Sequence, residues 1–155
     1  MEKDLLQRKC GAQNYRKLEE LGNAGISAFI EKYAGLCNPD SVFVRTDSKE
    51  DAEYIRRKTL ENGEERALAT KGHSIHFDGY LDQARDKTNT KYLLRPDEVL
   101  GSDIRSVDRD KGLEEIHKFF ENSMKGKEMY VCFYCLGPAD SVFSIPAVQI
   151  TDSSY

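Results

Sequence analysis

The spacing of apolar residues predicts two helices in the first third of the chain. Tyr15, Leu18 and Leu21 lie three residues apart, which places them on one face of a short helix. We expect this helix to end at residues 22–23, where Gly is followed by Asn. Apolar residues recur at helical spacing over residues 26–37, and this pattern predicts a second amphipathic helix.

The next segment predicts a strand that leads directly into a helix. Residues 42–44 are Val-Phe-Val, which is typical of a short buried strand. Ser48 is a suitable N-cap, Asp51 follows three residues later, and Gly63 is a stop signal. These signals predict a helix from about 49 to 62. A strand followed by a capped helix indicates an α/β arrangement.

The remainder combines a loop-rich middle with further regular elements. Residues 71–108 are dense in Gly, Asp, Thr and charge, which predicts loops, and loops often carry function. A helix is predicted from Asp110 to about Ser123, with a buried face formed by Leu113, Ile116, Phe119 and Phe120. Strands are predicted over 129–136 and 147–150. The fold class is therefore predicted as α/β, with a mixed sheet and flanking helices.

Length and charge narrow the function classes. The 155 residues predict one domain, 1–155, and 15 aromatic residues help to supply a core. The formal net charge of −4 gives no bulk attraction for nucleic acid or anionic lipid, so neither is expected as a partner. No apolar run is long enough to span a membrane, and residues 2–4 are charged. We therefore expect a soluble, cytoplasmic protein.

The four cysteines fit a reducing compartment, since they are too few and too dispersed for a disulfide scaffold. Cys132 and Cys135 form a C-x-x-C pair, which in a loop would suggest zinc or redox chemistry. Here the pair lies within the predicted strand 129–136, where residues three apart face opposite sides of a sheet. A structural role is therefore favoured for both.

The best metal candidate in the sequence is the group His73, His76 and Asp78. Two imidazoles and a carboxylate can bind a transition metal if the backbone turns them together. On an extended segment the two imidazoles diverge, and no fourth ligand is evident nearby. We therefore favour a structural or surface role and expect no metal site. The sequence also contains no G-x-x-x-x-G-K-[ST], G-x-G-x-x-G, H-E-x-x-H or G-x-S-x-G motif.

Residues 82–91 are a candidate binding segment for a small dianion. Arg85, Lys87 and Lys91 lie within seven residues, with Asp, Thr and Asn between them. The planar guanidinium of Arg can give two parallel, charge-assisted hydrogen bonds to a carboxylate. On chemistry alone, a solvated helix face with weak ion pairs is the favoured alternative.

Three ordered motifs resemble the GTP-dependent phosphoenolpyruvate carboxykinases. They are residues 123–131 (SMKGKEMYV), 136–138 (LGP) and 149–155 (QITDSSY). Residues 37–44 and 72–86 are similar to the archaeal-type branch of that family, so the resemblance covers about residues 24–155. The chain departs from the family's pattern at two places. After G-P the family often has G-S-P, where this chain has residues 139–142, and Ser154 stands where a Pro is common before the final Tyr.

The resemblance implies an enzyme of gluconeogenesis that converts oxaloacetate and GTP to phosphoenolpyruvate, GDP and carbon dioxide. It also implies a divalent metal, manganese or magnesium, as a cofactor. The family's D-V-A-R segment is matched by residues 82–85, which implies that Arg85 binds the substrate carboxylate. Lys87 and Lys91 are then possible accessory anion contacts. The resemblance therefore favours an anion site over a solvated helix face.

Members of this family are much longer, and their phosphate loop, metal ligands and guanine pocket lie downstream of the segment that matches Tyr155. We therefore expect the amino-terminal, substrate-side domain of such an enzyme, without the carboxy-terminal nucleotide and metal domain that would be its partner. Alone, it should be inactive, with no catalytic residue, cofactor or metal of its own. The alternative is a stand-alone, non-catalytic domain that binds a small dicarboxylate or another protein.

Overall fold

The structure is a computed structural model that describes residues 5–79, 86 and 89–155. These residues form four helices, α1 (Leu5–Leu21), α2 (Ala24–Cys37), α3 (Lys49–Glu61) and α4 (Arg109–Phe120). They also form seven strands, β1 (Ser41–Val44), β2 (Arg66–Ala67), β3 (Ser74–Ile75), β4 (Tyr92–Leu94), β5 (Ser106–Asp108), β6 (Glu128–Leu136) and β7 (Ile145–Thr151). The predicted α/β class, with a mixed sheet and flanking helices, is confirmed.

The elements group into two compact units. The first unit contains the chain up to His76 and from Asn122 to Tyr155, and the second contains Phe77–Glu121. In the part of the chain that the structure describes, no helix has the length and apolar character needed to cross a bilayer.

A three-stranded mixed sheet with the order β1-β6-β7 is the framework of the first unit. β1 runs parallel to β6, with Ser41 opposite Glu128 and Val44 opposite Val131. β7 returns antiparallel to β6, from Tyr130 opposite Thr151 to Leu136 opposite Ile145. The three predicted strands are confirmed, and the structure extends each by one or two residues at its ends.

Alternation along the strands sorts the side chains into two cores. One sheet face packs against α1 and α2 and buries, among others, Leu18, Ile30, Val42, Val44, Met129 and Val131. The other face buries Phe43, Tyr130 and Cys132 against Tyr54 and Ile55 of α3. The sheet therefore lies between two layers of helix. Cys132 is a core residue as expected, whereas Cys135 is exposed, because it lies beyond the part of β6 that these layers cover.

Local signals explain most of the helix ends. Gly22 has a φ of +63° after α1, and Asn23 Oδ1 accepts a hydrogen bond from the Ile26 amide at 3.1 Å to cap α2. Ser48 Oγ accepts from the Asp51 amide at 3.1 Å, as its sequence position predicts. α1 begins at Leu5, much earlier than the apolar spacing indicated, and Gly11 interrupts its helical backbone with a φ of 66°.

The second unit is built on two short strands. β4 and β5 pair in parallel through three residues each, and α4 packs against them. Gly112 lies at this contact, where a Cβ would come within 2.3 Å of Leu93 Cδ2, so a larger residue would require the end of the Leu93 side chain to shift. The loop-rich interpretation of residues 71–108 is confirmed for the described residues, where the strands are only two or three residues long.

The predicted buried face of α4 is wrong. Ile116, Phe119 and Phe120 are exposed, Leu113 is half-buried, and Gly112 is the buried residue of the helix. The two-stranded sheet is too narrow to cover a helix face of that width. The helix also ends at Phe120 rather than Ser123, because Asn122 adopts a left-handed φ of 55° and donates its amide hydrogen to the Leu36 carbonyl at 2.9 Å.

Candidate functional site

Of the three cations in the candidate anion segment, Lys91 is the one whose position is described. Arg85 and Lys87 lie outside the described residues, so their predicted roles stay predictions. Lys91 is exposed and lies just before β4. It lines a cleft of about 470 Å³ in the second unit, which is within the usual size range of small-molecule sites.

The lining of this cleft combines polar and apolar groups. The polar groups come from Asn89, Lys91 and Glu115. The apolar groups come from β4, β5 and α4, and they are Leu93, Val107, Ile116 and Phe119. A cation, an amide and an apolar wall suit a small organic anion, whereas the carboxylate of Glu115 weakens the positive potential.

Asp86 organises the polar side of the cleft. Its carboxylate accepts hydrogen bonds from the Asn89 amide at 2.9 Å and from the Asn89 side chain at 2.6 Å. Its carbonyl accepts from the Thr90 amide at 3.0 Å. These contacts fix the backbone conformation that presents Asn89 and Lys91 to the cleft. They explain why an acidic residue occurs among the cations of this segment.

His76 has a packing role. Its Nδ1 donates a hydrogen bond to the Glu64 carbonyl oxygen at 2.6 Å, and its ring stacks on Tyr155 with a centroid distance of 3.7 Å. Across residues 5–79, 86 and 89–155, no three His, Cys, Asp or Glu side chains are placed to hold a metal ion together. The described residues therefore offer no cluster of three such side chains for the divalent metal that the resemblance implies.

The carboxylate of Glu64 holds residues 153–155, and sequence reasoning missed it. One oxygen, Oε2, accepts hydrogen bonds from the Ser154 amide at 2.8 Å, the Ser154 hydroxyl at 2.9 Å and the Tyr155 amide at 2.8 Å. The Ser153 hydroxyl donates to the same oxygen at 3.1 Å. The signal for this segment was the motif match over 149–155, but nothing in the sequence marks Glu64 as its partner.

Thr59 and Asn62 extend this contact from the end of α3. The Thr59 hydroxyl donates to the Ser154 carbonyl at 2.9 Å, and the Asn62 side chain donates to the Ser154 hydroxyl at 3.3 Å. We call Glu64, Thr59 and Asn62, with residues 153–155, the Glu64 anchor. It fixes the segment that follows β7 against α3.

A second polar network closes the carboxyl end of β1. Lys17 Nζ lies 2.8 Å from both carboxylate oxygens of Asp51 and donates to the Val44 carbonyl at 2.8 Å. Thr46 donates to Asp51 through its amide at 2.7 Å and its hydroxyl at 2.6 Å. Burial opposes ionisation of Asp51, but the hydrogen bonds from Lys17 and Thr46 outweigh it, and the pKa of Asp51 is lowered.

This second network has a structural role. Lys17 lines a cleft of about 420 Å³ together with Arg45, Thr46 and Phe133. Its three ammonium hydrogens are engaged by Val44 and Asp51, so Lys17 has no donor left for a ligand. Its ammonium group also lies 4.7 Å from the Phe43 ring centroid.

Comparison with known proteins supports the resemblance seen in the motifs. The family model for the phosphoenolpyruvate carboxykinase N-terminal domain matches residues 28–155. The chain is 51% identical over 152 residues to the phosphoenolpyruvate carboxykinase [GTP] of Thermococcus sibiricus, covering 98% of this chain and 24% of the relative. It is 46% identical to that of Thermococcus kodakarensis, covering 97% of this chain and 24% of the relative.

A third relative extends the comparison to another genus. The phosphoenolpyruvate carboxykinase [GTP] of Sulfurisphaera tokodaii is 48% identical over 140 residues, covering 90% of this chain and 23% of the relative. The chain thus spans about a quarter of the length of the curated relatives that it matches. Because the family model covers most of the sequence, this chain belongs to the phosphoenolpyruvate carboxykinase N-terminal domain family.

Proposed function

We propose that this chain is the substrate-side part of an enzyme that converts oxaloacetate and GTP to phosphoenolpyruvate, GDP and carbon dioxide. The observation that carries the proposal is similarity along nearly the whole chain to a relative that is named for this activity. The match covers only 24% of that relative, so the proposal assigns nucleotide binding and the chemical step to the remaining length.

Arg85 is assigned to the substrate carboxylate in this proposal. Oxaloacetate carries two carboxylates, and a guanidinium can bind one of them through two parallel hydrogen bonds. Lys87 and Lys91 are assigned to accessory anion contacts. The support from described residues is that Lys91 and Asn89 line a cleft of suitable size in the second unit.

The proposal gives the metal and GTP to the part of the protein beyond these residues. The described residues hold no cluster of three metal-ligand side chains, so no step through the metal is assigned to them. Its contribution is to bind and orient the substrate, which lowers the barrier by positioning. Alone, it should produce no phosphoenolpyruvate.

The experiment that tests this function begins by sequencing the source DNA beyond the codon for Tyr155. If the reading frame continues, the complete protein is expressed and assayed with oxaloacetate, a divalent metal and either GTP, ATP or no nucleotide. Phosphoenolpyruvate is expected with GTP, and the sample without nucleotide is the matched control.

Two results would contradict the proposal. One is a complete protein that binds GTP and metal but forms no phosphoenolpyruvate from oxaloacetate. The other is a stop codon directly after Tyr155 together with oxalate binding that nucleotide does not change. The second result would support the stand-alone dicarboxylate-binding domain.

A further inference from the structure

The far end of the β6–β7 hairpin carries an exposed group of apolar side chains. Val142 is 94% exposed and Phe143 is 79% exposed. We define the hairpin-tip patch as these two residues with Tyr134, Leu136 and Ile145, all of which are exposed. An exposed group of large apolar side chains on one structural feature is typical of an interaction surface.

The patch is exposed because the hairpin extends beyond the elements that cover the rest of the sheet. β1 pairs with β6 only through residues 128–131. The α3 side of the sheet is covered around Tyr130 and Cys132. Further along β6, Tyr134 and Leu136 continue the same face, and Ile145 lies directly opposite Leu136. On the α3 side of β6, the alternating apolar residues therefore continue beyond the part of the sheet that other elements cover.

Several hydrogen bonds within the loop brace the tip of the hairpin. The Ser144 amide donates to the Ser141 carbonyl at 2.9 Å, and the Phe143 amide donates to the Ser141 hydroxyl at 3.2 Å. The Ser144 hydroxyl bonds to the Pro138 carbonyl, and Gly137 has a φ of +97° that favours glycine. The hydroxyl groups of Ser141 and Ser144 thus bond within the loop, while Val142 and Phe143 are exposed, and an ordered loop loses less conformational entropy on binding.

We propose that the hairpin-tip patch is the docking surface for the remaining part of the longer protein, and this rests on the proposed function. The matched relatives have about three quarters of their length outside the segment that this chain covers. A covalently linked partner has an effective concentration of about 1 mM or more, so a small apolar surface is sufficient to hold it. A second copy of this chain lacks that advantage at ordinary protein concentrations.

Carbene footprinting of the complete protein tests this proposal. Carbenes insert into exposed C–H bonds, and labelling of the same residues in urea provides the fully exposed reference. Val142 and Phe143 should be labelled at least about fivefold less in the native protein than in urea, because the centre of a docked interface is packed like a protein interior. Val131, which is fully buried here, should be protected in the native protein and so reports folding.

A pair of variants at one position provides the matched control. Val142→Asp should restore labelling of Phe143 towards the urea level, because a buried carboxylate opposes docking. Val142→Thr keeps the shape of the side chain and should have a smaller effect. Val142 is exposed in this chain, so neither variant should prevent the first unit from folding.

The outcomes separate the docking surface from the enzymatic function. Labelling of Val142 and Phe143 within about twofold of the urea level, with Val131 protected, would overturn the docking proposal even in an active enzyme. A protected patch in a protein that forms no phosphoenolpyruvate would support docking and count against the function. The alternative is a dimer that the complete protein forms through the patch. If Val142 and Phe143 lose their protection when the complete protein is diluted, a second copy is the occupant and the proposal is overturned.

Discussion

Asp51 is the buried carboxylate on which the contact between α1, β1 and α3 depends. Asp51→Asn keeps the size of the side chain but leaves the Lys17 ammonium without a carboxylate in a largely buried position. We expect the free energy of unfolding to fall by about 3 kcal/mol, as for other buried ion pairs that lose one partner. Urea denaturation at neutral pH measures this change.

Glu53→Gln is the control, because Glu53 is an exposed partner of Lys49 on the same helix. Its effect should stay within about 0.5 kcal/mol. Equal effects of the two substitutions would contradict the structural role of Asp51.

The pH dependence of stability gives a second result for Asp51. The folded pKa of Asp51 lies below the ordinary value of 3.8, so the folded state favours the ionised form. The resulting stabilisation is present above that value and is lost as the pH falls through the folded pKa. The Asp51→Asn variant should therefore lose less stability than the original protein as the pH falls below 3.8. Parallel acid-denaturation curves for the two proteins would contradict this explanation.

Glu64 is the residue that fixes the segment after β7. Glu64→Ala removes the acceptor for the Ser154 and Tyr155 amides. A hydrogen bond to a charged acceptor contributes about 1.5–3 kcal/mol, so exchange of these two amide hydrogens should be at least about tenfold faster. Hydrogen exchange measured by NMR tests this. Glu61→Ala removes an exposed carboxylate three residues earlier and should leave both exchange rates unchanged.

At the scale of elements, the exposed face of α4 gives a direct test of the packing. Phe119 is 74% exposed, so Phe119→Ala should change the free energy of unfolding by no more than about 0.5 kcal/mol. Leu18 on α1 is buried, and Leu18→Ala should cost about 3 kcal/mol. Thermal unfolding measures both variants. A large cost at Phe119 would show that the helix face is covered, as the apolar spacing alone predicted.

The contrast between α3 and α4 shows what local sequence can predict. The start of α3 depends on the Ser48 cap, which lies next to the helix in the chain. Burial of α4 depends on the width of the sheet beneath it, which is set by the pairing of β5, directly before the helix, with β4, about 15 residues upstream. The start of α1 was missed because charged residues separate the buried Leu6 and Cys10, and Gly11 interrupts the pattern.

At the scale of the whole molecule, the candidate site was predicted from two different sources. The anion chemistry of residues 82–91 is visible in the residue types, but the specific role of Arg85 comes from the resemblance to the family. The Glu64 anchor joins residues about 90 positions apart in the chain, so no local pattern could reveal it. The cleft beside Lys91 likewise depends on how β4, β5 and α4 pack together.

The central claim is that this chain supplies the Arg that binds the substrate carboxylate. The most direct measurement is steady-state kinetics of the complete enzyme, comparing Arg85→Ala with Arg95→Ala, an exposed Arg ten residues later. We predict that Arg85→Ala lowers kcat/KM for oxaloacetate by about 30-fold or more, equivalent to about 2 kcal/mol, while Arg95→Ala has little effect. Unchanged kinetics for Arg85→Ala, or equal losses for both variants, would contradict the claim.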